Sequence, residues 1–255
     1  MNINVLLSPL NADELYFKDK ITIVIDVLRA STVITTALNN GAKEVIPVNT
    51  IEFGMKVSGD AFSGHSLIGG ERNTIKIDGF NVGNSPLEYN SDTVSGKSII
   101  LFTTNGTKAI VKAKFSEKVL ICCFNNIKSV AEYVVGQGKD IEILCAGSNG
   151  MFCIEDTVCA GKLITEIEQA NGGITISDAG KASLVLNKSF GRSINKMLKD
   201  SEHGRLLSEN GFREDIEYCA QLNIIDNVPI FESGVIKLYN SETSSEEQGE
   251  NNKAK

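Results

Sequence analysis

Asp26, Arg29, Ser31 and Thr32 fall within seven positions at the end of an apolar run, I-T-I-V-I-D-V-L-R-A-S-T over residues 21–32. The β-branched run predicts a buried strand, and Ser31 is a natural N-cap for the helical stretch that follows. In open α/β sheets ligands collect at the carboxyl ends of strands, where helix N-termini offer free N–H groups. There Asp26 can serve a metal or a proton, Arg29 is a fixed cation, and Ser31 and Thr32 are hydroxyl donors. Further along, G-G-E-R-N (69–73) sets Glu71 beside Arg72 in a loop whose glycines allow a ligand close to the backbone. G-F-N-V-G-N-S-P-L-E (79–88) is dense in turn formers; Pro86 sets a helix start after Ser85, and Asn84 and Ser85 can donate to ligand oxygens. T-T-N-G-T (103–107) closes a strand and opens a helix, so Thr104, Asn105 and Gly106 form an oxyanion or phosphate cradle. C-A-G-S-N-G (145–150) makes a similar turn through Gly147, ahead of Glu155 and Asp156. Acids in a first helical turn are favoured by the helix dipole, which explains that pair by default; where the turn lines a site, one of the two can instead bind a cation. In S-E-H-G-R (201–205), His203, one of two histidines in the chain, stands beside Arg205.

The elements that must position these residues alternate. Strand-like runs fall at residues 4–7, 21–26, 44–48, 98–103, 118–122 and 141–145, with helical patterns at 31–39, 105–114, 127–136 and 154–170. Buried strands alternating with helices predict a three-layer α/β/α body with a largely parallel or mixed central sheet. A faint duplication, strand–turn–helix–strand over 21–48 and again over 97–123, suggests repeated βαβ units. Three polar turns (26–31, 103–106 and 146–156) are then expected at one edge of one sheet. Helices follow at about 178–187, 193–200 and 212–221, and a closing strand at 228–239. Residues 1–240 read as one domain. The last fifteen residues, S-E-T-S-S-E-E-Q-G-E-N-N-K-A-K, lack apolar content and are expected to be a disordered polar tail.

Composition narrows the partners. The 255 residues are 42% hydrophobic and carry a net charge of −7, and no basic patch or stripe suits a nucleic acid. No segment is long and apolar enough for a membrane span, and no basic, apolar leader opens the chain, so a cytoplasmic location is expected. The six cysteines form no C-x-x-C pair and read as buried reduced thiols. Only five arginines are present, Arg29, Arg72, Arg192, Arg205 and Arg213, and most stand in Gly-, Asn- or Ser-rich surroundings that favour use in sites. The sequence leaves a homo-oligomer open.

Six motifs in order, V-I-D-V-L-R-A-S-T, G-E-R-N, G-N-S-P-L-E, T-T-N-G-T, C-A-G-S-N-G-M-F-C-I-E-D and S-x-H-G-R-L, resemble the ComB-type 2-phosphosulfolactate phosphatases over roughly residues 1–240. The resemblance implies an α/β fold and magnesium-dependent hydrolysis of 2-phosphosulfolactate to sulfolactate and phosphate, a step in coenzyme M biosynthesis. In this sequence the run after G-E-R-N is Asn73-Thr74-Ile75-Lys76-Ile77-Asp78 where the family is glycine-rich, so a reshaped loop is expected. The residues suit such a substrate. Its three anionic groups can be met by Arg29, Arg72 and Arg205 with helix N-termini. Mg²⁺ takes oxygen ligands, and Asp26, Glu71 and Asp156 are the candidates, in that order. Glu71 or Asp156, when not a ligand, is a candidate base, and His203 a candidate proton donor to the leaving alkoxide.

Missing motifs exclude other routes. No cysteine has an arginine at the C-x-x-x-x-x-R spacing, and Asp26-Val27-Leu28 lacks the second acid of a D-x-D pair. There is no R-H-G, and two histidines are too few for a binuclear metallophosphatase site. Attack by metal-assisted water remains, with Asp26 as covalent nucleophile still open. Two further readings compete: a thiol hydrolase using Cys145 as nucleophile and His203 as base, and a non-catalytic sensor of anionic metabolites.

Overall fold

The structure, a computed structural model, describes residues 1–10, 12–60 and 65–239. The expected polar tail lies outside the described residues. The strands are β1 (Asn2–Leu6), β2 (Ile21–Ile25), β3 (Glu44–Val48), β4 (Ser66–Arg72), β5 (Ile75–Lys76), β6 (Ser98–Phe102), β7 (Lys118–Cys122), β8 (Ile141–Cys145), β9 (Thr175–Ile176), β10 (Pro229–Glu232) and β11 (Val235–Leu238). They form one mixed sheet in the order β5-β4-β6-β3-β11-β10-β7-β2-β8-β1-β9. The helices are α1 (Ala30–Asn39), α2 (Ile51–Asp60), α3 (Ser91–Val94), α4 (Gly106–Lys112), α5 (Ile127–Gln137), α6 (Ile154–Ala170), α7 (Asp178–Phe190), α8 (Ile194–Asp200), α9 (Glu202–Glu209) and α10 (Arg213–Cys219).

Side chains on successive strand residues point to opposite faces, and the two faces of β2 feed separate cores. Ile21, Ile23 and Ile25 pack with Val130, Val158 and Leu163 of α5 and α6. Val24 packs with Ile34, Leu38 and Ile110 of α1 and α4. A third cluster joins Ile100 and Phe102 of β6 to Val48 and Ile68, with Ile51 and Val57 of α2 against it. Helices on both faces of the sheet give the three-layer α/β/α arrangement that the alternation predicts.

The sheet is less uniform than the sequence suggests. β4, β6 and β3 pair parallel, as do β7, β2, β8, β1 and β9. The β10–β11 hairpin stands between these blocks and is antiparallel to both neighbours, so the blocks run in opposite senses. The expected single closing strand is this hairpin. Strand–helix–strand units exist at β2-α1-β3 and β6-α4-β7, but in neither are the two strands neighbours. Each unit crosses the hairpin, and the pairings made are β2 with β7 and β3 with β6. The three polar turns therefore do not share one sheet edge: those after β2 and β8 do, and the turn after β6 belongs to the other block. Five strand steps separate β2 from β6. At about 20–25° of twist per step their axes diverge by roughly 100°, which accounts for the two carboxyl ends meeting at a corner.

Candidate active site

Asp26 follows the last residue of β2 and is 6% exposed. Its turn is sealed by its own side chains. Ala30 N donates to Asp26 Oδ1 at 3.0 Å, Asp26 N donates to Ser31 Oγ at 2.9 Å, and Thr32 Oγ1 donates to the Val27 carbonyl at 3.0 Å. Asp26 thus takes the first N–H of α1, whose N-cap residue is Arg29 with no side-chain capping bond, and Ser31, expected as N-cap, lies inside α1. The Ser31 and Thr32 hydroxyls, expected on substrate, are fully buried and spent on this turn. Gly106 closes over it: a Cβ there would stand 2.5 Å from Asp26 Oδ2 and 2.4 Å from Ala30 Cβ. Glycine is required because the two blocks touch here, so Gly106 serves the approach of the turns.

Asp156, in the first turn of α6 and 2% exposed, joins the β2 and β8 turns. Its Oδ1 accepts from Val27 N at 2.9 Å and its Oδ2 from Gly147 N at 3.0 Å, with Gly147 at φ +66°. Glu71, at the end of β4, is held from both sides. Its Oε1 accepts from Thr104 N at 2.7 Å and its Oε2 from Thr74 N at 2.8 Å. The sequence reading placed 69–73 in a loop; it is the end of a strand, and β4 and β5 join through Asn73 and Thr74, both at positive φ. Positive φ at both central residues suits a tight hairpin turn, but a β-branched threonine there is strained. Two further bonds hold it: Arg29 Nη2 to the Thr74 carbonyl at 2.9 Å and Asn210 Nδ2 to Thr74 Oγ1 at 2.8 Å.

Arg29 is 2% exposed, with its guanidinium 4.2 Å from the Phe212 ring centroid. Its Nη1 donates to Asp215 Oδ2 at 2.5 Å, and Ser85 Oγ donates to the other oxygen, Asp215 Oδ1, at 2.7 Å. Sequence reasoning missed Asp215. It is one acid in a helical first turn and carries no local mark of a partner 186 positions away. Ser85 is therefore committed to Asp215, while the buried neighbouring Asn84 has no partner for its Oδ1 among the described residues. Arg72 is exposed and outside the cleft described next.

A cleft of ≈ 480 Å³ opens at the turns after β4, β6 and β8, lined by Glu71, Thr104, Asn105 and Asn149 and, from α9, His203 and Arg205 with Glu202 and Glu209; Asp26, Arg29 and Asp156 are not among its lining residues. α9 was not expected. Ser201 caps it, accepting from Gly204 N at 3.0 Å, and Gly204 is needed because a Cβ would meet the Leu198 carbonyl at 1.7 Å. Arg205 Nη1 donates to the Asp200 carbonyl at 2.5 Å. Thr104 Oγ1 is buried at the cleft wall without a partner among the described residues.

Carboxylates dominate the electrostatics. Burial first pushes the Asp26 carboxyl up from 3.8 to about 7; the Ala30 N–H lowers it, repulsion from Glu71 and Glu155 raises it, and Arg29 lowers it. Burial, then Asp26 and Glu155, raise Asp156 well above the usual carboxylate range. Glu155, 3% exposed, is raised chiefly by burial and is a fourth member of the cluster. His203 is held below 6.5, first by burial and then by Arg29, so its imidazole is neutral at pH 7. Cys145 is fully buried, does not line the cleft, and has its thiol pushed well up by burial and Asp156. A thiolate nucleophile has no support there, and all six cysteines are free and buried. None of the described helices is long and apolar enough to cross a membrane.

Like-charged carboxyls held together under burial are what a bound cation relieves. Among the described residues no three His, Cys, Asp or Glu side chains converge tightly enough to cage an ion by themselves.

Fold and site define a three-layer α/β protein with a cluster of buried carboxylates at the ends of its strands. The family model described as 2-phosphosulpholactate phosphatase matches residues 7–234, and the chain belongs to that family. A Clostridium perfringens protein named "Probable 2-phosphosulfolactate phosphatase" is 40% identical over 243 residues, covering 94% of this chain and 98% of its own length. One from Caldanaerobacter subterraneus subsp. tengcongensis with the same name is 41% identical over 220 residues, covering 86% and 91%. A third so named, from Clostridium tetani, is 39% identical over 238 residues, covering 93% and 100%.

Proposed function

We propose that the chain hydrolyses the phosphate monoester of a small anionic 2-hydroxy acid, 2-phosphosulfolactate giving sulfolactate and phosphate, with Mg²⁺ as cofactor. Family membership and the relatives' names support the reaction. The observation that carries the site is the convergence of Asp26, Asp156 and Glu71, each pinned by backbone N–H groups, at one corner of the sheet. Mg²⁺ would be held by Asp26 and Asp156 and would supply charge neutralisation at the phosphoryl oxygens. Glu71, whose carboxylate lines the cleft, accepts the proton of the attacking water. The new P–O bond forms as the ester P–O bond breaks, and the electron pair leaves with the sulfolactate oxygen. His203 is neutral in the free protein; a phosphate dianion beside it favours the imidazolium, which donates to that alkoxide. Arg29, tied to Asp215 and Thr74, orients Glu71 through the 73–74 turn and sets the local positive potential.

The test is phosphate release from 2-phosphosulfolactate, 2-phospholactate and a neutral phosphate monoester, with Mg²⁺ and with EDTA. The reading expects Mg²⁺-dependent release with the sulfonated ester fastest. Release unaffected by EDTA, or none from any ester, overturns it.

A further inference from the structure

The cleft does not end at Asn105. A second cavity of ≈ 420 Å³ opens beside it, and Thr104, Asn105 and Asn149 line both. The divide is fixed: Asn149 N donates to Asn105 Oδ1 at 2.9 Å, and paired backbone bonds between Ser148 and Met151 close the loop behind it. The two lobes differ in charge. The first carries Glu71, Glu202 and Glu209 against Arg205 and His203. Among the described residues the second is lined by no acid and by two lysines, Lys108 and Lys112. Lys112 donates to the Pro9 carbonyl. Lys108 is exposed on α4 and has no hydrogen-bond or ion-pair partner among the described residues. Pro9, Leu10, Ala109 and Ala146 give the same lobe an apolar wall.

We propose that this second lobe receives the sulfonate end of the substrate and that Lys108 is the residue that selects it. The proposal rests on the phosphatase reading above: once the phosphate sits against the carboxylates, a second anion on the same small molecule must leave the acidic lobe, where Glu202 and Glu209 repel it. The adjoining lobe offers space without carboxylates among the described residues, and it shares Thr104, Asn105 and Asn149 with the first cleft. The short carbon chain crosses between the lobes at Asn105 and Asn149. The Lys108 ammonium, a mobile point charge with three donors, meets the sulfonate oxygens, and the apolar wall covers the carbon chain.

Steady-state hydrolysis of 2-phosphosulfolactate and of 2-phospholactate, which differs only in lacking the sulfonate, tests the assignment in wild type, Lys108→Gln and Lys108→Arg. Loss of one charge-assisted contact at an accessible site is expected to lower the ratio of the two kcat/KM values about tenfold in Lys108→Gln, chiefly through KM for the sulfonated ester. Lys108→Arg is expected to restore most of the ratio. An unchanged ratio, or an equal fall for both esters, overturns the subsite while leaving the phosphatase reading intact. A wild-type protein that releases phosphate from neither ester overturns the reaction and the subsite with it.

Discussion

Replacing Asp26 with asparagine should make the protein more stable and inactive at once. Burial and repulsion from Glu71 and Glu155 raise the Asp26 carboxyl from 3.8 to about 7. At about 1.4 kcal/mol per pH unit, holding it charged in the folded state costs roughly 4 kcal/mol well above pH 7. The sign follows from the direction. A carboxyl whose folded value is raised favours folding below its unfolded value, near 3.8, and loses that contribution as pH climbs through about 7. Asparagine keeps the Oδ1 acceptor for Ala30 N and removes the charge. Thermal unfolding in EDTA at pH 8 should therefore show a gain of about 3–4 kcal/mol, or on the order of 10 °C in Tm for a chain of this size. At pH 4 variant and wild type should converge to within about 1 kcal/mol. Mg²⁺ should raise the wild-type Tm at pH 8 and leave the variant's unchanged. A variant less stable than wild type at pH 8, or a difference that does not change with pH, refutes the electrostatic argument.

Three further outcomes follow from the same geometry. Arg29→Ala leaves the Asp215 carboxylate buried without its cation and should cost about 3–5 kcal/mol in denaturant unfolding; a loss under 1 kcal/mol would mean the pair is not intact in solution. Gly106→Ala drives a Cβ into Asp26 Oδ2 and Ala30 and should abolish turnover while costing about 1–3 kcal/mol; wild-type activity in that variant contradicts the close approach of the two blocks. His203, held down by burial and Arg29, should titrate below 6.5 by NMR in the free protein and move upward on addition of inorganic phosphate. A free-protein midpoint at or above 6.5 contradicts the buried, cation-facing environment.

The strands most legible in the sequence were the buried ones. β2, β3, β6, β7 and β8 fall within a residue of their expected ends because both faces are covered and the apolar run is continuous. β4 escaped because Gly69 and Gly70 interrupt its run. Both are glycine through long-range contact, since a Cβ on Gly69 would meet Tyr89 Oη at 2.3 Å and one on Gly70 the Phe102 carbonyl at 1.8 Å. Gly204 hid α9 in the same way. Parallel blocks of opposite sense could not be read at all, because strand direction depends on where the far-off β10–β11 hairpin inserts. In the site, Asp26, Glu71, Asp156 and His203 were marked by acids, glycines and hydroxyls at turns. Ser31 and Thr32 carried the same mark and turn out to hold the turn itself. Asp215 gave no such sign, since an acid in a first helical turn is already explained by the dipole; the same explanation covered the Glu155–Asp156 pair, of which only Asp156 was carried into the expected site. Lys108 gave none either, because its interest comes from a cavity formed by three separate turns.

The central claim is that the Asp26 and Asp156 carboxylates hold one cation, with Glu71 beside it, at which phosphate is bound. Mn²⁺ binding, read by water-proton relaxation with and without inorganic phosphate, tests it most directly in wild type, Asp26→Asn and Asp156→Asn. One tight Mn²⁺ per wild-type chain, strengthened by phosphate and lost in both variants, is the predicted result. Wild-type Mn²⁺ affinity in either variant, or binding indifferent to phosphate, would contradict it.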